Sequence, residues 1–329
     1  MISELLAVAF GITVLTIICG WAGLPLLHKL NVGQRVRDDG PESHFKKSGT
    51  PTFGGLFFLL PLALLAVTAL IINRRLGNLA VLILLMLLFA LAGFLDDYIK
   101  VRISKKGLSM GQKTLLLGVF SILFTIYYLY FSQEDPFLLV PFSGRQFLIT
   151  GWMKIPFGLL VVLYLFFISN AVNLTDGIDG LASSVTAISS AALAGAALIL
   201  QPSLNQARSV GWLSAAMFGG CLGFLVFNRH PAKVFMGDTG SQALGAGIAG
   251  AALLLGIPWV LLPVGIVYIA EAFSVMIQVV YFKKTGGKRI FRMSPIHHHY
   301  ELGGWSENKI VLVFSLVGLA GGLLGLLMI

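Results

Sequence analysis

Five aspartates are the residues of this 329-residue chain best suited to chemistry: Asp96 and Asp97 in AGFLDDYIK, Asp176 and Asp179 in NAVNLTDGIDG, and Asp238 in FMGDTGS. Carboxylates are hard oxygen donors, and Lys46, Lys47, Lys100 and Lys113 supply point cations in the flanking segments. That pairing points to Mg2+ and a phosphate-bearing substrate. Asp96 and Asp97 would diverge by about 100° on a helix and are expected to have separate jobs. The stretch SGTPTFGG (48–55) offers small residues whose backbone N–H groups can approach an anion, although it lacks the GKS/T ending of a P-loop. Taken singly, each feature has a plainer reading as a solvated helix end or a membrane-side lysine. The combination shifts the weight, because the loop holding Asp176 and Asp179 has no Lys or Arg to balance it.

The elements that must position these groups are membrane helices. The chain is 57% hydrophobic and 11% charged, with a mean hydropathy of +0.89; a soluble domain carries about 25% charged residues. Runs of about 20 apolar residues follow one another with hardly a polar break, which predicts an all-α polytopic membrane protein. Alternating strand-length runs of a membrane barrel are absent. Ten spans are expected, near 5–27, 53–72, 78–95, 115–131, 156–172, 181–200, 210–227, 243–257, 259–282 and 310–329. Gly256-Ile257-Pro258 divides the eighth from the ninth, since 40 continuous helical residues would overshoot a core ~30 Å thick.

Charge assigns the sides. The odd-numbered loops hold 18 of the 23 Lys and Arg, so they are expected in the cytoplasm, with both termini on the extracytoplasmic side. All five aspartates then fall at the cytoplasmic face. Residues 1–329 are expected to form one integral membrane domain, with the first helix retained because the N-terminus lacks a basic n-region and a cleavage site. Cys19 and Cys221 lie in apolar runs and read as small hydrophobes. A nucleic-acid partner is not expected.

Two acid motifs from other families do not fit. Isoprenyl-diphosphate synthases use DDxxD, where this chain has Lys100 in the last position, and DGIDGLASS lacks the Ala-Arg and later paired acids of the CDP-alcohol phosphotransferases. Six motifs in chain order do fit a single family: KKSGTPTFGG (46–55), LDDYIK (95–100), GLSMGQK (107–113), NAVNLTDGIDGLA (170–182), FNRHPAKVFMGDTGS (227–241) and SPIHHHYE (294–301). Together they resemble the polyprenyl-phosphate N-acetylhexosamine-1-phosphate transferases. The triple histidine resembles the branch that uses UDP-MurNAc-pentapeptide.

The resemblance implies Mg2+-dependent transfer of phospho-MurNAc-pentapeptide from UDP to undecaprenyl phosphate, by a homodimer in the bacterial inner (plasma) membrane. The products would be lipid I, for peptidoglycan, and UMP. It implies Asp238 as the principal Mg2+ ligand, and Asp96 as the acid that deprotonates or positions the lipid phosphate, with Asp97 beside it. Asn170, Asn173, Asp176 and Asp179 would line the nucleotide-sugar side, and Phe235 would stack on uracil. Lys47, Thr52, Lys100, Lys113, Asn228 and Gly237 would be further binding groups.

The stretch RMSPIHHHYELGG (292–304) then reads as an anion site rather than a metal site, because adjacent histidines on a helix point about 100° apart. Ser294 is expected as N-cap, Pro295 as the first helical residue and Gly303-Gly304 as the stop. His297, in the first turn, would be best placed to touch the diphosphate or uridine, with His298 next. Glu271, in the middle of the ninth span, is read as a protonated or hydrogen-bonded structural group, the other reading being a proton relay. Two rivals remain open at this level. One is a relative using UDP-N-acetylglucosamine, which would share the aspartates. The other is a lipid or solute transporter with Glu271 as its coupling group.

Overall fold

The computed structural model describes the chain apart from residues 34–48, 73–75, 105 and 133. Each expected span is helical: α1 Ile2–Lys29, α2 Leu56–Ile72, α3 Gly77–Arg102, α4 Met110–Tyr130, α5 Lys154–Thr175, α6 Leu181–Leu200, α7 Ala207–Asn228 and α8 Gly237–Leu254. A 3-10 turn (Pro258–Val260) and the short α9 (Leu261–Val264) lead into α10 (Ile266–Lys284). The six-residue α11 (Ile296–Glu301) and α12 (Glu307–Leu327) complete the chain. Length and hydropathy qualify eight of the described helices to cross a membrane, with α2 shorter and α8 too polar at its start. The protein is an all-α polytopic membrane protein.

At the centre stands α8, buried from Thr239 to Leu254. Its sequence, GDTGSQALGAGIAGAALL, explains that position, because small residues let neighbouring backbones approach closely and lipid-embedded helices associate through such contacts. On α3, an added Cβ at Gly93 would strike the carbonyl of Asp238; on α8, one at Gly245 would strike the backbone of Ser169 in α5. At the periphery α1 turns Ile2, Leu6, Phe10 and Trp21 outward. It is tied inward by Thr13 Oγ1, which donates to the Gly219 carbonyl of α7 at 3.0 Å.

Loops of one parity meet at each end of the bundle. At one end a hairpin absent from the sequence-based expectation pairs β1 (Phe137–Leu139) with β2 (Gln146–Leu148). Leu139 N–H donates to the Gly256 carbonyl at 2.7 Å, Trp259 Nε1 to the Leu139 carbonyl at 2.7 Å, and Phe142 N–H to the Met328 carbonyl at 2.8 Å. At that same end Asn205 N–H donates to Glu134 at 2.7 Å and Arg208 pairs with Glu4 at 2.9 Å. The fourth, sixth and eighth connections and both termini therefore share one end. Among the described residues, the odd-numbered connections share the other, together with every aspartate of the candidate site.

Helix ends were misjudged where polar groups continue a helix. α3 runs seven residues past the expected end at 95, because Asp96 and Lys100, one turn apart, pair at 2.6 Å. α5 likewise continues to Thr175 and carries Asn170 and Asn173 within it, and α8 begins at Gly237 rather than 243.

Candidate active site

Asp238 sits in the first turn of α8, where one end each of α3, α4 and α5 converges on it. Its Oδ2 accepts from Lys113 Nζ at 2.6 Å and Lys100 Nζ at 3.0 Å, and its Oδ1 from Asn173 Nδ2 at 2.9 Å. Burial alone would raise this carboxyl, but the two ammonium groups outweigh burial and hold it well below the usual carboxylate range. Lys100 also pairs with Asp96 Oδ2 at 2.6 Å, and Lys113 lies 3.7 Å from the same oxygen. The other oxygen of Asp96 accepts the Leu108 N–H at 2.6 Å, which anchors the α3–α4 connection. Asp96, Lys100, Lys113, Asn173 and Asp238 thus form one contiguous set drawn from four helices.

Asp97 points elsewhere, as expected for a neighbour on a helix. Its Oδ1 accepts the Asp238 N–H at 3.1 Å, and its Oδ2 accepts the N–H and hydroxyl of Thr239 at 2.9 and 2.7 Å. Gly237, at φ +72°, makes the turn into α8; a side chain there would strike both Asp97 and the Thr52 hydroxyl. Thr52 is buried and donates its N–H to the Val32 carbonyl at 3.1 Å. Phe235, half-buried, donates its N–H to Pro51 at 2.9 Å and accepts from Gly54 at 2.9 Å, so segment 51–54 lies beside the entry to α8.

A second set lines the loop after α5. Burial, followed by the charges of Asp238, Asp97 and Asp179, pushes the half-buried Asp176 carboxyl well above its ordinary range. Asp179, buried, lies 2.9 Å from His230 Nδ1 and accepts the Ala232 N–H at 3.0 Å, while its own N–H donates to Glu307 at 3.0 Å. Asn228 is also buried: its Oδ1 accepts from Gly180 N–H at 3.1 Å and Ser183 Oγ at 3.2 Å, and its amide donates to the Val234 carbonyl at 3.0 Å. These residues fasten the α5–α6 loop to the α7–α8 loop. Asn170 donates to the Phe166 carbonyl of its own helix at 2.7 Å. Lys47 lies outside the described residues.

The histidine segment differs from its expected form. Pro295, not Ser294, occupies the N-cap, and no side chain caps the helix; the Ser294-Pro295 bond is cis. Gly304, at φ +89°, is where the chain turns after α11. The group that meets this N-terminus is one the protein supplies. Glu271 on α10 is fully buried, with Oε2 3.4 Å from the His297 N–H and Oε1 3.1 Å from His297 Nδ1. This contact ties α10 to α11. The His297 ring is itself buried against Gly177, beside Asp176. His298 Nδ1 lies 3.0 Å from Glu301.

Sequence reasoning missed three groups: Thr239 as a partner of Asp97, and His230 and Glu307 around Asp179. His230 was discoverable as one of only six histidines, inside the motif FNRHPAK. Thr239 gave no signal beyond adjacency to Asp238.

A carboxylate flanked by cationic side chains and an amide, at the membrane border, is suited to phosphate chemistry, and relatives define its class. Residues 79–256 match the model of glycosyl transferase family 4. Over 91% of this chain and 87% of its own length, a phospho-N-acetylmuramoyl-pentapeptide-transferase from Acetivibrio thermocellus is 46% identical. Enzymes of the same name from Listeria innocua (44% identity, 98% and 97% coverage) and Carboxydothermus hydrogenoformans (46% identity, 90% of each chain) align similarly. The chain belongs to glycosyl transferase family 4 and, within it, to the phospho-N-acetylmuramoyl-pentapeptide-transferases. Membership of an enzyme family disposes of the transporter reading.

Proposed function

We propose that the protein transfers phospho-MurNAc-pentapeptide from UDP-MurNAc-pentapeptide to undecaprenyl phosphate, yielding lipid I and UMP for peptidoglycan synthesis. In this reading it works as a homodimer in the bacterial plasma membrane, with the odd-numbered loops in the cytoplasm. Near full-length identity to pentapeptide transferases supports the donor. The observation that carries the chemistry is Asp238, where Lys100, Lys113 and Asn173 converge within 3.0 Å.

An oxygen of the lipid phosphate attacks the sugar-side phosphorus, the bridging P–O bond breaks, and UMP leaves. Like charge opposes this approach, and Lys100 and Lys113 lower the barrier by standing between the phosphates. Asp96, paired with both lysines, is placed to hold or receive the proton of the lipid phosphate. Asp176 and His297 border the nucleotide-sugar side.

The donor set fits Mg2+. Asp238 offers two hard oxygens, Oδ2 now held by the lysine ammonium groups and Oδ1 by Asn173, whose carboxamide can turn its own oxygen to the same point. Mg2+ held there would supply charge neutralisation at the diphosphate.

Undecaprenyl phosphate supplied with either UDP-MurNAc-pentapeptide or UDP-N-acetylglucosamine tests the reading by UMP release. Release with the pentapeptide donor is expected; release only with the N-acetylglucosamine donor overturns it.

A further inference from the structure

We infer that Asp97 is a positioning residue for Asp238 rather than a group that touches either substrate. The two aspartates of LDDYIK are usually one feature to the eye, yet their carboxylates meet different partners. Asp96, equally buried, joins the lysines. Both oxygens of Asp97, 4% exposed, are taken up by α8: the Asp238 N–H at 3.1 Å, the Thr239 N–H at 2.9 Å and the Thr239 hydroxyl at 2.7 Å. Thr239 is fully buried, and on the remaining side Gly237 and Thr52 close over the same carboxylate.

The arrangement solves a local problem. α8 begins at a left-handed glycine and has no side-chain cap of its own, so its first N–H groups need acceptors. The two carboxyl oxygens of Asp97 on α3 supply them. The first turn that it fixes is the turn that presents Asp238 between Lys100, Lys113 and Asn173. Groups that orient a metal ligand without touching the metal commonly change affinity about 10- to 100-fold when removed. Asp97 therefore acts through the direction of the Asp238 carboxylate, and Thr239 acts with it.

The inference rests on Asp238 being the metal ligand. Its test uses the full-length protein in detergent, with Mn2+ binding followed by electron paramagnetic resonance and UMP release followed against Mg2+. Thr239→Val removes the hydroxyl contact without opening a cavity. We expect it to weaken Mn2+ binding and raise the Mg2+ requirement by about the same factor, on the order of 10-fold. Thr239→Ser should restore both. Asp97→Asn should move both in the same direction and further, with part of kcat recovered at saturating Mg2+. The positioning role is overturned if Thr239→Val matches the unmodified protein in Mn2+ affinity while Asp97→Asn loses kcat at every Mg2+ concentration with Mn2+ affinity unchanged. Asp238→Ala is the control for the underlying reading. Undiminished Mn2+ binding in that variant counts against the metal assignment, whereas undiminished binding confined to the Asp97 and Thr239 variants counts against positioning alone.

Discussion

At the scale of single residues, the site is a balance of charges in which every carboxylate has a distinct surrounding. Asp238 lies beside two ammonium groups, Asp97 beside helix N–H groups, and Asp176 beside other acids. Replacing Asp238 with Ala removes the point on which Lys100, Lys113 and Asn173 converge, and UMP release should fall at least about 100-fold while the protein stays folded by gel filtration. Near-normal turnover would take Asp238 out of the metal role. Asp176 yields a pH prediction. Because its folded pKa is raised, the neutral form is favoured in the folded state, so a stability cost develops as pH rises from the ordinary carboxylate range and levels off above the folded value. Without divalent cations, Asp176→Asn should therefore melt higher than the unmodified protein at pH 7 and above, and the difference should shrink on acidification. A melting difference independent of pH would show that the charges of Asp97, Asp179 and Asp238 do not act on Asp176.

At the scale of elements, the decisive contact is the crossing of α3 and α8. Gly93 allows the α3 backbone to lie against the carbonyl of Asp238, which in turn lets Asp97 reach the start of α8. Gly93→Ala should force the helices apart, costing about 1–3 kcal/mol in stability and lowering activity more than a surface Ala substitution would. Thermal unfolding and UMP release measured on one preparation check both; an unperturbed enzyme would mean that the crossing tolerates a methyl group. The coupling of α10 to α11 is of a different kind. A buried carboxyl group near the start of α10 is costly in an apolar bundle, and here the N–H of His297 approaches it at 3.4 Å.

At the scale of the molecule, the grouping of loops is the main result. Among the described residues, odd connections gather at the site, whereas the fourth, sixth and eighth connections and both termini gather at the hairpin, so the excess of described Lys and Arg belongs to one end. If that end faces the cytoplasm, a cysteine placed at Ser203 in a Cys19/Cys221-free protein should react with a membrane-impermeant maleimide in intact cells. One at Thr285 should react only after permeabilisation. The reverse pattern would invert the proposed orientation.

The sequence by itself determined that the protein is a helical membrane protein, where its helices fall, which loops share a side, and which family it belongs to. Hydropathy over 20 residues, loop charge and contiguous motifs are local quantities, readable without coordinates. It located the five aspartates but could not separate their duties. Asp96 and Asp97 are adjacent in the chain, and only the packing of α3 against α8 turns one toward the lysines and the other onto Thr239. The same holds for His297: the flanking residues announced a helix N-terminus that would hold an anion, but Glu271, 26 residues away, is the group that lies against it. Distances through the chain do not encode which buried charge meets which donor, because that depends on helix crossings set by small residues such as Gly93 and Gly245. The tertiary structure decided those pairings.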